Sequence, residues 1–271
     1  MRDTGALEDG DEHLLQFLDM VRAVFFDLGE TLLNFGRVDH SAAFREGAKL
    51  AHEHLIKMGQ PVGDFGAFHR TQRRAIVRAY RWSLICRRDF NALDTMAKTH
   101  RDMGLTTRPE DLQRLALLFY EPIRRLGRPE PDVHNVLRWL REHGCRLAVV
   151  SNTWVPGIAL DDHLAREGLL EFFRDRVYSC DTRYRKPHPR IYQVASERVG
   201  VPAAETMFVG DTLRTDIRGA NRVGMISVWK APRGCTSCGW TRPRYTISEL
   251  RELPELVLRH ERGEVGSVRP G

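Results

Sequence analysis

The chain has 271 residues, of which 42% are hydrophobic and 29% charged, and its formal net charge is +6. That is long enough for one sizeable core plus a second, smaller unit. No apolar run is long enough for a membrane span, and the acidic opening "MRDTGALEDGDEHLLQFLDM" lacks the basic-then-apolar order of a secretory signal. The positive balance favours anionic ligands but names no nucleic acid, and no helix-turn-helix, zinc-finger or aromatic-basic RNA signature accompanies it. A cytoplasmic protein without membrane or nucleic-acid partners is expected, as a monomer or homodimer.

Residues 1–20 read as an N-terminal extension with one amphipathic turn around Leu14, Leu15 and Leu18; Met20 offers an alternative start. Arg22 to Phe26 is an almost wholly apolar run that stops at Asp27, as expected of a parallel strand buried on both faces. Residues 36–125 then carry helical patterns only, over Ser41–Lys57, Phe65–Ile85 and Pro109–Tyr120. Within them, "HRTQRRAIVRAYRWSLICRR" (residues 69 to 88) holds seven arginines and no acid. At helical spacing Arg70, Arg74, Arg78 and Arg81 form a stripe beside Ile76, Val77, Tyr80 and Leu84, either a recruiting surface for an anion or a solvated face.

Strands and helices alternate from there. Val133–Arg141 is an amphipathic helix with Gly144 past its end, and Arg146–Val150 is a strand leading into "VVSNT". Ile191–Val199 is a helix, Thr206–Val209 a strand entering "FVGDTLRTD", Asp216–Val223 a helix and Met225–Trp229 a strand. This rhythm predicts an α/β fold with a doubly wound parallel sheet (residues 21–35 and 126–260), interrupted after its first strand by a helical unit, and a disordered tail over 261–271. Five scattered cysteines fit reduced thiols; Cys235 and Cys238 form one C-x-x-C pair, half of a structural zinc site at most.

Ligands of an open α/β sheet bind beyond the carboxyl ends of its strands. Three expected strands end there in polar residues: Asp27, then Ser151 and Asn152, then Asp211 and Asp216. Between them, in "RYRKPHPRIY", Pro187 and Pro189 restrict the backbone around Lys186. Phosphoryl transfer needs this assortment: a carboxylate nucleophile, and a metal, a lysine and hydroxyl donors to meet charge on the phosphoryl oxygens. Magnesium takes one or two carboxylates, and Asp27 and Asp211 can supply them.

The ordered set "FFDLGETL", "VVSNT", "RKPHPRIY" and "FVGDTLRTD" resembles the four motifs of the haloacid dehalogenase-like hydrolase superfamily, over roughly residues 21–260. The resemblance implies a Rossmann-like core with a C1-type cap domain at 36–125, and a magnesium-dependent phosphatase that forms an aspartyl-phosphate on a small phosphorylated metabolite. It implies that Asp27 is nucleophile and metal ligand, that Gly29 offers its backbone carbonyl, and that Asp211 and Asp216 complete the metal set. Ser151 would bind the phosphoryl group with Asn152 and Thr31 shaping its pocket, and Lys186 would neutralise it and orient the nucleophile.

This chain departs from that pattern in one place. The second aspartate that serves most family phosphatases as acid/base falls at Gly29. Glu30, the adjacent residue, is either a substitute proton carrier or a solvated turn carboxylate. Asp216 is either a metal-site residue or the cap of the helix that follows it. Three functions follow: a phosphatase favouring good leaving groups, a 2-haloacid dehalogenase whose halide needs no proton, or a catalytically degenerate member that binds an anion or a partner.

Overall fold

The computed structural model describes residues 20–86, 88–232 and 240–264. The N-terminal extension before Met20, the Cys235–Cys238 pair, Arg87 and the last seven residues lie outside it.

Six parallel strands form the main sheet: β1 (Ala23–Phe26), β4 (Arg146–Ser151), β5 (Asp175–Tyr178), β6 (Thr206–Gly210), β7 (Ile226–Lys230) and β8 (Tyr245–Ile247), in the spatial order β5-β4-β1-β6-β7-β8. The chain builds leftward from β1 to β5, then crosses back to lay β6 on the other side of β1. That reversal puts the topological switch point at the carboxyl ends of β1, β4 and β6, where a crevice opens.

Alternation along β1 divides the core. Val24 and Phe26 point to one face, with Leu147, Val149, Met207 and Val209 of the neighbouring strands. That face is covered by α5 (Val133–Glu142), α6 (Gly157–Arg166) and α10 (Leu253–Glu261). Ala23 and Phe25 point to the other face, covered by α8 (Pro189–Val199) through Ile191, Tyr192 and Ala195 and by α9 (Arg218–Val223) through Ala220. Because both faces are covered, the strands read as unbroken apolar runs.

The helical unit contains α1 (His40–Lys57), α2 (Phe65–Cys86), α3 (Ala92–Asp102) and α4 (Pro109–Arg124). It has its own core, with Ala48, Leu55, Phe68, Met96 and Leu115 buried together. Gly47 lets α1 cross α4 at close range, since a Cβ there would stand 2.4 Å from the Phe119 carbonyl oxygen. The chain enters and leaves this unit through a small antiparallel ribbon, β2 (Leu33–Asn34) against β3 (Arg128–Pro129).

Several expectations shift at their edges. Helix α10 runs to Glu261, whose carboxylate accepts from the Val21 backbone N–H (3.2 Å) and meets His143 Nε2 (3.0 Å), so the ordered core extends past residue 260. Arg70, Arg74, Arg78 and Arg81 all face solvent. The apolar stripe beside them divides: Ile76 and Val77 are half-buried, whereas Tyr80 and Leu84 are exposed. Among the described residues no helix is long and apolar enough to cross a membrane.

Candidate active site

Asp27 is the first residue beyond β1, held there by its backbone N–H donating to the Val209 carbonyl (2.9 Å). Ser151 ends β4, and Asp211 follows β6 directly. The switch-point topology therefore brings three distant segments to one edge, around a cleft of about 470 Å³ that also includes Gly29, Asn152, Lys186 and Asp216.

Lys186 arrives from the loop before α8, through a cis peptide bond to Pro187. Its ammonium lies 2.5 Å from Asp27 Oδ1 and 2.7 Å from Asp216 Oδ1, and it rests 5.4 Å from the centre of the Phe208 ring. With 4% exposure this is a buried cation, tolerable only because two carboxylates and an aromatic face surround it. Burial disfavours its charge, but Asp216 and Asp27 more than offset that and hold its pKa above the usual lysine value.

Asn152 fixes the lysine's backbone. Its side-chain oxygen accepts from the Lys186 N–H (2.7 Å) while its amide donates to the Lys186 carbonyl (3.0 Å). Both ends of the amide are thus engaged by the backbone of one residue. This gives Asn152, expected to shape the phosphoryl pocket, a positioning role.

Asp216 does not cap a helix. It lies inside a π-helical turn, Leu213–Ile217, and α9 begins at Arg218. Its Oδ2 accepts from the Thr212 N–H (2.9 Å), leaving Oδ1 for Lys186. Gly210 makes this possible, because a Cβ there would meet the Asp216 carboxyl at 2.6 Å. Asp211 accepts from its neighbour's hydroxyl, Thr212 Oγ1 (3.1 Å), and its backbone carbonyl accepts from the Trp229 indole N–H (2.8 Å).

Asp27, Asp211 and Asp216 each offer a carboxylate oxygen, and these oxygens lie within 4.8 Å of one another. Burial pushes the Asp27 carboxyl up to about 7, with Lys186 opposing and Asp216 and Asp211 adding repulsion. Asp211 is pushed up to about 6 by burial and by Asp216. One lysine does not balance three carboxylates, so the donor set has the charge and oxygen chemistry of a magnesium site.

Glu30 adopts the left-handed region (φ 55°) and folds back on its own turn. Its carboxylate accepts from the Phe35 N–H (3.0 Å), and its carbonyl accepts from Lys230 Nζ (2.8 Å). Gly29 needs no special backbone angle, and a Cβ there would meet only Phe35 Cε2, at 3.9 Å. Space for a side chain exists, but no side chain fills it.

Two features escaped the sequence reading. Asp89, buried between α2 and α3, accepts from Ser179 Oγ (2.5 Å), and the same hydroxyl accepts from the Thr153 N–H (2.8 Å). Arg185 Nη1 stands 3.4 Å from Asp89 Oδ1. This chain of contacts ties the helical unit to the loops carrying Asn152 and Lys186. The second is the buried Tyr120 hydroxyl of α4, 3.0 Å from His163 Nδ1 of α6. Neither pair has a sequence signature, since its members are far apart in the chain.

The family model of the haloacid dehalogenase-like hydrolases matches residues 21–224. A glyceraldehyde 3-phosphate phosphatase of Methanopyrus kandleri is 29% identical over 88% of this chain and 97% of its own length. The crystal structure of a haloacid dehalogenase-like (HAD) phosphatase from Thermococcus onnurineus superposes with a TM-score of 0.54 at 26% identity, covering 87% of this chain and 97% of that one. A 2-haloacid dehalogenase from Pseudomonas syringae shares the fold at 23% identity, with a TM-score of 0.59 over 89% of this chain and 99% of its own. With its sheet order, its inserted helical cap and the residues converging on the switch point, the chain belongs to the haloacid dehalogenase-like hydrolases.

Proposed function

We propose that the protein is a magnesium-dependent phosphatase that hydrolyses a small phosphorylated metabolite through an aspartyl-phosphate on Asp27. The observation that carries this reading is the Asp27–Lys186–Asp216 arrangement with Asp211 beside it. A lysine held between nucleophile and brace serves an anionic substrate, and the extra carboxylates serve a cation. Phosphatases among the relatives, matched over nearly their full length, support the same reaction class.

Asp27, Asp211 and Asp216, with the Gly29 carbonyl, would hold magnesium, which supplies charge neutralisation at the phosphoryl oxygens. Asp27 attacks phosphorus through one carboxylate oxygen; the ester P–O bond breaks and the leaving oxygen departs with the electron pair. Lys186 and the Ser151 hydroxyl meet the negative oxygens of the phosphoryl group. Water then attacks the same phosphorus, the P–O bond to Asp27 breaks, phosphate leaves and a proton passes to solvent. Asn152 and Asp216 hold Lys186 in place throughout. No side chain at Gly29 hands a proton to the leaving oxygen, so the first step runs best with leaving groups stable as anions.

Phosphate release from a broad substrate panel tests this. Asp27→Asn is expected to lose at least about a 10⁴-fold factor in turnover. Retained activity in that variant overturns the reading. Independently of turnover, magnesium is expected to raise the thermal midpoint of the wild type and not of Asp211→Asn.

Gly29 also favours a second reading, hydrolytic dehalogenation of a 2-haloacid, in which halide leaves without a proton. Halide release from 2-chloropropionate that persists in EDTA would support it against the phosphatase.

A further inference from the structure

Beside the catalytic cleft, between cap and core, lies a chamber of about 340 Å³. Its walls are largely apolar: Phe44, Ile76, Val77, Met96, Phe119 and Trp154. It shares His40, Tyr120, Ile123, Trp154 and Val155 with the cleft, so one cavity continues into the other. A chamber of this size is in the range that takes a small ligand, about 300–1,000 Å³.

One polar group stands out. Gln72 lines the chamber from α2, is 2% exposed, and its side-chain amide nitrogen has no hydrogen-bond partner. A buried, unpaired donor costs free energy unless something completes it. No core position requires a glutamine among phenylalanine and isoleucine. A ligand carrying an acceptor would complete it.

Resting on the phosphatase reading above, the structure assigns a substrate class: we infer a phosphate ester of an acidic, aromatic hydroxyl, whose ring fills the chamber and whose far side presents a carbonyl-type acceptor to Gln72. Two independent features meet in this substrate. Gly29 removes the proton donor, which demands a leaving group of low pKa, and the chamber next to the phosphoryl site offers that leaving group apolar walls. A phenol-type oxygen satisfies both, since it departs as an aryloxide that takes its proton from water afterwards. A small polyol phosphate satisfies neither.

The test uses the full-length enzyme with magnesium and four substrates: 4-acetylphenyl phosphate, phenyl phosphate, acetyl phosphate and glycerol 3-phosphate. Acetyl phosphate has a good leaving group but no ring, so it separates leaving-group chemistry from chamber binding. For the wild type, kcat/KM is expected to fall in that order, with 4-acetylphenyl phosphate at least about 100-fold above glycerol 3-phosphate and about tenfold above phenyl phosphate. In Gln72→Leu the ratio of 4-acetylphenyl to phenyl phosphate is expected to drop about threefold, mainly through KM, leaving the share owed to leaving-group pKa. In Val77→Asp both aryl esters are expected to lose ground to acetyl phosphate.

Rapid hydrolysis of acetyl phosphate with no preference for the aryl esters overturns the chamber assignment and leaves the phosphatase reading standing. An unchanged acetylphenyl-to-phenyl ratio in Gln72→Leu removes the acceptor contact. Release from none of the four overturns the phosphatase reading, and the substrate class falls with it. The wild-type comparison needs no variant to fold.

Discussion

The catalytic cleft and the chamber beside it handle polar groups in opposite ways. In the cleft the polar side chains are engaged: Lys186 by two carboxylates, Asp216 by Lys186 and the Thr212 N–H, and Asn152 by the N–H and carbonyl of Lys186. In the chamber the buried Gln72 amide nitrogen has no partner, and the walls around it are largely apolar. Reaction chemistry needs geometry fixed before the substrate arrives, which closed hydrogen bonds provide. Selectivity needs groups left open for the substrate to complete. The cleft is therefore built for the reaction and the chamber for the choice of what reacts.

The strongest way to break this contrast is to supply the core's missing proton carrier. Gly29→Asp introduces a carboxylate where a Cβ meets only Phe35. Alkyl phosphates, which need protonation on leaving, are expected to gain about 100-fold in kcat, while aryl phosphates gain little. A plot of log kcat against leaving-group pKa shows this directly as a flattened slope. An unchanged slope would mean that another residue already carries the proton.

A smaller effect probes preorganisation. Asn152→Ala frees the Lys186 peptide without touching its ammonium or either carboxylate, and is expected to lower kcat about 30- to 100-fold with little change in KM. Equal loss in both parameters would assign Asn152 to binding, against the geometry described here.

The gentlest test addresses the joint between the two regions. Burial, then Arg124 with Arg128 and Arg166, pushes the His163 imidazole down to about 4, with Asp162 opposing. Burial likewise takes His100 down to about 4. A histidine whose folded pKa is depressed resists protonation in the folded state, so its stability contribution is complete above about 6.5 and is lost as the pH falls towards 4. Asp27 and Asp211, held up at about 7 and 6, gain stability over the same window, so the expected signal is a difference: as the pH falls from about 6.5 towards 4, His163→Gln loses less of its urea midpoint than the wild type does. A decline of equal slope in that variant would move the effect to other groups.

How much was legible in the sequence follows the same division. Strands β1, β4, β6 and β7 announce themselves as apolar runs because both faces of a parallel sheet are covered. Strand β5, Asp175-Arg176-Val177-Tyr178, has two charged residues of four, and β8 has three residues at the sheet's edge, too short for any periodicity to register. Asp27, Ser151, Lys186 and Asp211 stand at the ends of strands or between prolines, and local sequence marks such places. What local sequence could not mark was assembly from afar: the Asp89–Ser179 contact, or a chamber whose walls come from all four cap helices. Asp216 stays open in sequence between metal-site residue and helix cap because a π-helical turn and an α-helical start share the same residues there, and Glu30 stays open because its left-handed backbone is invisible there.

The ribbon of β2 and β3 has a consequence of its own. Leu33 pairs with Pro129 and Asn34 with Arg128, so the chain departs for the cap and returns from it at neighbouring points, one strand spacing (about 5 Å) apart. A segment that begins and ends at one place can be exchanged without re-routing anything else. Joining Asn34 to Arg128 by a two-residue hairpin turn such as Asn-Gly should leave the six-stranded sheet its own connectivity, with the crevice open to solvent. The cap is in this sense a cartridge, and its selectivity could be transplanted to another core through the same two strands.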